Sequence, residues 1–482
     1  MPLKTATLED ILINIQDFLG NPADLVRINI HNQEAAVLFI ESLVDQAQLL
    51  ERIANFNSES FVIESSPWNL DFRKTEEILK DLSQGHVILI RKDKEQFKIY
   101  NLSIPGWQLR PIDEPISEPV IRGPREGFTE TISVNTAMIR RWINDTELRV
   151  DQLTVGDKTG TKVRLLYLNQ VVNPVLVKEA KERISAIRID GILESGYLEQ
   201  LITDNRLTLF PLIQSTERSD KVAAAILEGR IAILVDKSPF ALIAPTTINE
   251  LYQSPEDYYF GFYLGSFLRF IRLLGNNLAV ALPGLYIALA SFNPELLPTS
   301  FAFSIAQSRR GIPYPLFMEI LFLEIMVEVF REAGLRLPKS VNLTLGVVAG
   351  VGLAFAAVQT RLVSGASLAV VSITAIASFS APNFSVGITW RLFKFMLILG
   401  AAFLGIVGLT ITGIFILAHA ATLTSFGASY LAPWGPIQWY ELQDSIFRIP
   451  LWLRFRRAAY YHPINRKRME KTIKSNRKQD DQ

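Results

Sequence analysis

The 482-residue sequence contains no cysteine and only four histidines, which are scattered along the chain. The lack of cysteine excludes disulfides, thiolate nucleophiles and zinc–thiolate sites. The sequence also lacks the phosphate-binding pattern G-x-x-x-x-G-K-[ST], the nucleophile elbow G-x-S-x-G and the metalloprotease pattern H-E-x-x-H. We therefore expect neither an enzyme active site nor a resident metal or cofactor.

Charge is nearly absent from a long part of the second half of the chain. Within residues 341–440 the only charged side chains are Arg361, Arg391 and Lys394, whereas soluble domains carry about 25% charged residues. The net charge of +1 conceals an uneven distribution of charge. Acidic residues predominate in the first half of the chain and basic residues in the second. The N-terminus lacks the apolar core of a signal peptide. These features predict a cytoplasmic soluble region followed by a membrane domain.

Strand and helix patterns occur in a similar order twice in the soluble region. The first set of segments is Ala36–Ile40, Val44–Phe56, Thr75–Leu82, His86–Ile90 and Gln96–Asn101. The second set is Val163–Leu168, Asn173–Arg183, Gly191–Ile202, Asp220–Glu228, Arg230–Val235 and Phe240–Ala244. We predict two similar α/β lobes, although unrelated α/β units share this rhythm. Ser219 is the expected N-cap of the helix that begins at Asp220.

A proline-rich segment separates the two predicted lobes. The prolines of residues 111–119 favour extended backbone, so this segment is expected to be a semi-rigid linker. The turn-rich loop that follows is a candidate docking or coupling element, and its residues are Arg122, Gly123, Pro124, Arg125 and Glu126. The alternative is a solvated loop with internal ion pairs, which the chemistry alone favours because exposed pairs are common and weak.

Four segments of the second half are long and apolar enough for a helix of about 20 residues that crosses a bilayer. They are residues 273–292, 341–360, 363–382 and 395–419. Before them, an aromatic segment that contains Arg269 and Arg272 is predicted to lie at the interface, where arginines can reach lipid phosphates. Gly346 and Gly350 form a G-x-x-x-G pattern that is typical of closely packed membrane helices.

Residues 315–333 form a further apolar helix pattern that carries acidic residues. Glu324, Glu328 and Arg331 fall on one face of it. Because carboxylates are costly in lipid, these side chains are candidates for an ion path or an oligomer contact. The alternative is an amphipathic helix on the membrane surface, with its acids in water and Arg331 paired with Glu328, and the three acids of the segment slightly favour it.

The C-terminal tail is basic, and begins with the RFRR sequence at Arg454–Arg457. A basic juxtamembrane segment marks the cytoplasmic side and binds anionic lipid. Binding of nucleic acid is less favoured, because the tail directly follows the membrane segment. With both termini cytoplasmic the number of crossings is even, four or six. The predicted boundaries are a first lobe (1–110), a linker (111–121), a second lobe (122–250), a membrane domain (251–447) and a tail (448–482).

Several strings of the sequence are specific in combination. They are RPIDEPISEPVIRGPREGF (Arg110–Phe128), RIDGILESGYLEQLI (Arg188–Ile202), EGRIAILVDKSPFALIAP (Glu228–Pro245), REAGLRLPKSV (Arg331–Val341) and SFGASYLAP (Ser425–Pro433). With these strings the chain resembles the A-type subunits of bacterial spore germinant receptors, the GerA family, over nearly its whole length.

The resemblance implies a function that composition does not show. A-type subunits lie in the inner membrane of the spore and work with a transporter-like B-type subunit and a C-type lipoprotein. Nutrients trigger the complex, monovalent cations leave the core, and the A-type subunit is expected to assemble into the conducting homo-oligomer. Two alternatives stay open, namely a non-conducting scaffold subunit and a direct nutrient sensor that uses its two lobes.

Overall fold

The computed structural model describes residues 8–30, 35–45, 48–51, 68–69, 75–93, 96–103, 115, 117–338 and 350–469. Two five-stranded antiparallel sheets lie in the first half of the described chain, and long helices dominate the second half. We name the two sheet-containing parts lobe 1 and lobe 2, and the part from Ile248 onward the helical half.

Among the described residues, lobe 1 has two complete helices and five strands. Its elements are α1 (Leu8–Leu19), β1 (Leu25–Ile30), β2 (Ala35–Ile40), β3 (Trp68–Asn69), α2 (Thr75–Ser83), β4 (His86–Asp93) and β5 (Gln96–Ser103). Every side chain of β2 is buried, since both faces of the sheet are covered at this central strand. The amphipathic helix α1 buries Leu12 and Ile15 against one face of the sheet. Of the predicted helix Val44–Phe56, residues 48–51 are helical, Val44 and Asp45 are not, and the remaining residues lie outside the described residues.

Lobe 2 repeats this arrangement and has four helices. Its elements are α3 (Ile132–Trp142), β6 (Leu148–Val155), β7 (Thr161–Leu168), α4 (Pro174–Ser185), α5 (Ser195–Ile202), β8 (Gln214–Thr216), α6 (Ser219–Leu227), β9 (Ile231–Val235) and β10 (Ala241–Ala244). Alternate residues of β7 and β9 enter two separate apolar cores, one on each face of the sheet.

The two sheets have the same strand order. Lobe 1 is ordered β1-β2-β4-β5-β3 and lobe 2 is ordered β6-β7-β9-β10-β8, with antiparallel neighbours throughout. This agrees with the predicted α/β region of two similar lobes. The predicted cap of α6 is wrong, because Arg218 occupies the N-cap position. Ser219 is the first helical residue, and its hydroxyl accepts a hydrogen bond from Trp142 Nε1 at 3.1 Å.

A buried ion pair joins the lobes. Arg140 of α3 donates two hydrogen bonds of 2.7 Å to the carboxylate of Asp24, and both side chains are almost fully buried. Burial alone would raise the pKa of Asp24, but the Arg140 guanidinium holds that pKa below its ordinary value. Ser42 donates a further bond to the same carboxylate at 3.0 Å. The contact therefore fixes the relative position of the lobes.

The helical half begins with two short helices and continues with long ones. Its elements are α7 (Ile248–Tyr252), α8 (Glu256–Tyr259), α9 (Phe262–Ile287, continued by a π-helical turn to Phe292), α10 (Thr299–Ser308), α11 (Leu316–Arg336), α12 (Gly350–Gln359), α13 (Gly365–Ala377), α14 (Phe384–Thr422) and α15 (Trp439–Leu442). Two of the described helices, Phe262–Phe292 and Phe384–Thr422, are long and apolar enough to cross a membrane.

The chain reverses direction inside α14. Gly405 has φ of 59° and ψ of −135°, which interrupts the helix, and only glycine adopts such a conformation readily. We call the part of α14 before Gly405 its first arm and the part after it its second arm. The two arms pack against each other, because Gly400 lies against Gly408 and Thr412. The prediction of one span over 395–419 is therefore wrong. The segment before residue 273 is also not a separate interfacial helix, since α9 runs without a break from Phe262.

Candidate functional site: a buried charge network joined to lobe 2

The carboxylate of Glu324 is buried between three helices. It lies on α11, contacts the Lys394 ammonium of α14 and accepts a hydrogen bond from Thr374 Oγ1 of α13 at 3.1 Å. Glu324 is 0% exposed and the Lys394 side chain 4%. A buried carboxylate without a cation would be strongly destabilising. The pair therefore ties α11 to the first arm of α14.

Glu328 extends the network by one turn of α11. It accepts hydrogen bonds from Arg391 at 2.9 Å and from Arg331 at 3.1 Å, and it lies 3.7 Å from Lys394 Nζ. Arg331 also donates to Ser378 Oγ at 2.8 Å. Two carboxylates thus face three cations, so the network carries a surplus positive charge in an otherwise apolar region.

The structure brings together Glu324, Glu328 and Arg331, as the helix periodicity predicts. The surface-helix alternative, with its acids in water, is wrong for the fully buried Glu324. Lys394 and Arg391 pair with these two carboxylates, but the sequence analysis does not identify them as site residues. The sequence contains one indication of both residues, because they are two of the three charged residues in the otherwise uncharged segment 341–440.

Glu319 lies apart from the network, at the other end of α11. Its carboxylate is 3.3 Å from Arg309 and accepts a hydrogen bond from the backbone amide of Ser364, just before α13. Glu319 is 0% exposed. It therefore serves to join the ends of α11 and α13 that point away from lobe 2.

Lobe 2 holds the N-terminal end of α14. Asn383 caps this helix through Ser385 N at 3.0 Å, and its amide donates to Ser215 O of β8 at 3.3 Å and to Glu118 at 3.5 Å. Glu118 in turn accepts hydrogen bonds from Lys221 Nζ at 2.8 Å and from Thr216 Oγ1. The helix that carries Lys394 and Arg391 is therefore fixed to lobe 2 at its base.

The candidate coupling loop packs between lobe 2 and the start of the helical half. Glu256 of α8 accepts a hydrogen bond from the backbone amide of Arg122 at 3.3 Å. Arg218 of lobe 2 donates to Pro124 O at 3.0 Å. Gly123 has φ of +138° and lies against the ring of Tyr259, whose hydroxyl donates to Asp220 of lobe 2.

The rest of this loop contacts lobe 2 or solvent. Glu126 lies 3.7 Å from Arg141 in an exposed ion pair, and Arg125 also has a polar contact. The loop is therefore docked at Arg122, Gly123 and Pro124. Only its end, at Arg125 and Glu126, agrees with the alternative of a solvated loop with ion pairs.

Arginines near the start of α9 pair with acids of the protein. Arg269 is 0% exposed and lies 3.0 Å from Asp257 and 3.2 Å from Asp444. Arg272 also pairs with Asp257, at 3.0 Å. The expectation that both arginines reach lipid phosphates is therefore wrong, because both pair with acidic residues of the protein.

The described part of the tail folds back onto lobe 2. Arg454 and Arg468 both pair with Glu228 at the end of α6. Arg457 donates to Leu227 O at 2.6 Å, and the Ile464 amide donates to Val171 O at 2.9 Å. These basic side chains are occupied by protein acceptors, in contrast to the predicted binding of anionic lipid. Residues 470–482 lie outside the described residues.

Close helix packing occurs at glycines other than those of the predicted G-x-x-x-G pattern. Gly346 lies outside the described residues, and a Cβ at Gly350 would meet no atom within 4 Å. In contrast, Gly284 of α9 lies against Leu397 and Leu409, and Gly400 lies against Gly408. The tight approach is therefore between α9 and the two arms of α14.

The comparisons with known proteins identify the family. Residues 8–460 match the family model described as Bacillus/Clostridium GerA spore germination protein. The chain belongs to the GerA family.

Individual relatives span most of the chain. An uncharacterized membrane protein of Bacillus subtilis, YfkQ, is 39% identical over 80% of this chain and 74% of its own length. Spore germination protein GerLA of Bacillus cereus is 35% identical over 92% of this chain and 93% of its own length. Among solved structures, the N-terminal domain of the A subunit of the Bacillus megaterium spore germinant receptor GerK3 is 34% identical and covers 50% of this chain and 94% of its own, with a TM-score of 0.36.

Proposed function

We propose that this chain is the A-type membrane subunit of a nutrient germinant receptor, in which it forms or gates an oligomeric cation-release channel. Its partners would be further copies of itself, a transporter-like B-type subunit that senses the nutrient, and a C-type lipoprotein. Membership of the GerA family supports the germination role. The buried network around Glu324 and Lys394 supports the gating role.

The helix contacts support six crossings of the spore inner membrane, with both termini on the side of lobe 2. Helix α9 and the first arm of α14 run away from lobe 2, while α11, α13 and the second arm of α14 run towards it. Helix α12 would be the sixth crossing and would run away from lobe 2. The second arm returns to lobe 2, where His419 contacts Thr208 at 3.0 Å. At about 1.5 Å per residue each arm of α14 is roughly 25–30 Å long, close to the hydrocarbon thickness.

The gating hypothesis follows from the pairing of the two acids. In this arrangement Lys394 and Arg391 neutralise Glu324 and Glu328, so these carboxylates do not attract cations. A shift of the first arm of α14 relative to α11 would separate the pairs and present both carboxylates to a cation path. Rings of acidic side chains select cations in channels.

Lobe 2 is placed to produce such a shift. It holds α14 at Asn383, and Thr389 Oγ1 donates to Leu209 O of lobe 2 at 2.8 Å. Arg391 and Lys394 follow within the next two turns of the same helix. Movement of lobe 2, driven by a partner whose affinity differs between two arrangements, would therefore reach the ion pairs directly.

The observation that carries this proposal is the sharing of Lys394 between Glu324 and Glu328, and replacement of both acids tests it. In lipid vesicles that contain the assembled receptor, E324Q/E328Q should lower nutrient-triggered cation flux at least about tenfold, as expected for loss of the charges that attract the ion. E332Q is the matched control, because Glu332 is an exposed acid of the same helix. Unchanged flux from a correctly assembled E324Q/E328Q receptor would contradict the proposal.

The link through Glu118 has its own test. E118Q weakens the contact with Lys221 at the base of α14, so nutrient-triggered flux should fall several-fold while receptor assembly is retained. E126Q removes a charge from the exposed pair with Arg141 and should leave flux unchanged. Equal effects of the two variants would rule out a specific role for Glu118.

A non-conducting scaffold is the second candidate. It is supported by the complete pairing of Glu324 and Glu328 with cations of the same chain. It predicts that receptor flux is insensitive to E324Q/E328Q but is lost when the docking loop around Gly123 is disrupted. Nutrient sensing by closure of the two lobes is less favoured, because the buried pair Asp24–Arg140 fixes them together.

A further inference from the structure

A cavity lies where lobe 2, the segment before α9 and the tail meet. Its volume is about 200 Å³. Gln214 and Glu228 line it from lobe 2, Tyr258 from α8, and Leu451 and Arg454 from the tail. A molecule bound there would contact all three parts of the protein at once. The cavity is separate from the network around Glu324.

The charged side chains that line the cavity already have ion-pair partners. Lys221 pairs with Glu118 at 2.8 Å, Asp220 with Arg218 at 2.7 Å, and Arg230 with Glu250 at 3.8 Å. Arg454 and Arg468 pair with Glu228. Because these charges are compensated within the protein, neither a free anion nor a free cation finds an unsatisfied counter-charge in the lining.

Three polar atoms of the lining stay unsatisfied. Gln214 Nε2, Glu228 Oε2 and the Tyr461 hydroxyl are buried and have no hydrogen-bond partner among the described residues. Gln214 is 2% exposed, and its Oε1 accepts from Arg230 at 3.2 Å, which leaves the amide N–H groups to donate. The second oxygen of Glu228 can only accept. Buried polar atoms of this kind are costly unless a ligand or water satisfies them.

From these observations we propose that the cavity binds a small uncharged molecule that carries hydroxyl groups. A hydroxyl both accepts from Gln214 and donates to Glu228, which neither a carboxylate nor an ammonium group can do. Ala224, Ala225 and Leu451 supply apolar walls for the carbon skeleton. An engineered cavity of 150 Å³ holds benzene, so this one has room for roughly six to nine non-hydrogen atoms. This inference does not require that the chain conducts ions.

Binding of erythritol, a four-carbon polyol, to the full-length protein in detergent micelles tests the proposal. Equilibrium dialysis with radiolabelled erythritol should show saturable binding with an affinity of about 1–10 mM, as expected for so small a ligand. Succinate and putrescine, which have similar size but carry charge, should bind at least about tenfold more weakly. Binding of either charged compound as tight as erythritol would overturn the assigned class of ligand.

Two variants locate the bound molecule. A224L fills the mouth of the cavity, and A224S is its matched control because it leaves the space open. Q214M removes the donor, while Arg230 keeps Pro245 O and Thr246 Oγ1 as acceptors. Erythritol affinity should fall about tenfold in A224L and in Q214M and stay within about twofold in A224S.

The outcomes are distinguishable. Thermal unfolding without ligand checks that each variant is folded, and Q214M still tests the site if A224L is not. No saturable binding by the wild-type protein up to about 100 mM erythritol would overturn the proposal, since the cavity would then hold water only. Binding that neither variant weakens would place erythritol elsewhere on the protein and would also overturn it.

Discussion

Two buried ion pairs of this protein differ in how their charges are shared. Between the lobes, Arg140 donates two hydrogen bonds of 2.7 Å to the carboxylate of Asp24, and Ser42 donates a third to the same carboxylate. Lys394, between α11 and α14, serves Glu324 and also lies 3.7 Å from Glu328. The first pair has one well-defined arrangement, whereas the second belongs to a network in which a cation can exchange acids.

This difference indicates different roles. A bidentate arginine–carboxylate pair fixes geometry, because both groups are planar and the bonds are directional. A lysine ammonium is a compact charge on a flexible stem and tolerates movement between two neighbouring acceptors. The lobes are thus expected to move as one body, and α11 and α14 are the elements expected to shift.

The largest effect is expected from K394M. This variant leaves the buried Glu324 without its cation, so the free energy of unfolding should fall by about 3–5 kcal/mol. E324Q should cost less, about 1 kcal/mol, because Lys394 keeps Glu328 as a partner. Thermal unfolding in micelles measures both, and K394M/E324Q should recover most of the stability that K394M loses. Equal losses in the two single variants would show that Lys394 is not shared.

The next effect concerns the pair between the lobes. D24N removes the charge that Arg140 requires, and the free energy of unfolding should fall by about 2–4 kcal/mol at neutral pH. E9Q, in an exposed pair with Arg27, is the control and should change stability by less than about 1 kcal/mol.

The pH dependence of D24N sharpens this prediction. The pKa of Asp24 is lowered on folding, so its contribution to stability is present above the ordinary carboxyl pKa and is lost as the pH falls through the lowered value. The difference between D24N and the wild-type protein should therefore shrink in acid. A difference that is independent of pH would show that the loss is one of packing rather than of charge.

The sequence predicts the elements of the lobes well but not the contacts between distant parts. The strand at Val163–Leu168 and the helix before Gly229 follow from local periodicity, and both are present with small shifts. The pairing of Glu324 with Lys394 joins residues far apart in the chain, so periodicity indicates the face of α11 and not its partner.

The reversal of the chain at Gly405 shows a second limit of prediction from the sequence. A charge-free run without proline gives no sign of a turn, because each residue suits both a helix and a lipid environment. The folding back depends on the positive φ of one glycine and on the small side chains at the crossing, where Gly400 meets Gly408. Hydropathy therefore predicts the membrane segment but counts one span where the structure has two arms.

The smallest effect on stability is expected from a substitution in the candidate coupling loop. G123A places a methyl group against the Tyr259 ring at a residue with φ of +138°, so the loop should lose its docked position and the protein about 1–3 kcal/mol of stability. G261A is the matched control, because a Cβ there would meet no atom within 4 Å and its φ of −62° suits alanine.

Limited proteolysis, measured together with thermal unfolding, distinguishes the possible outcomes for G123A and G261A. If the loop couples lobe 2 to α8, G123A should increase cleavage near Arg122 and Arg125 and lower nutrient-triggered flux, while G261A changes neither. Increased cleavage with normal flux would show that the loop only packs between the two parts, and coupling would then depend on the contacts of Glu118 and Asn383 at the base of α14.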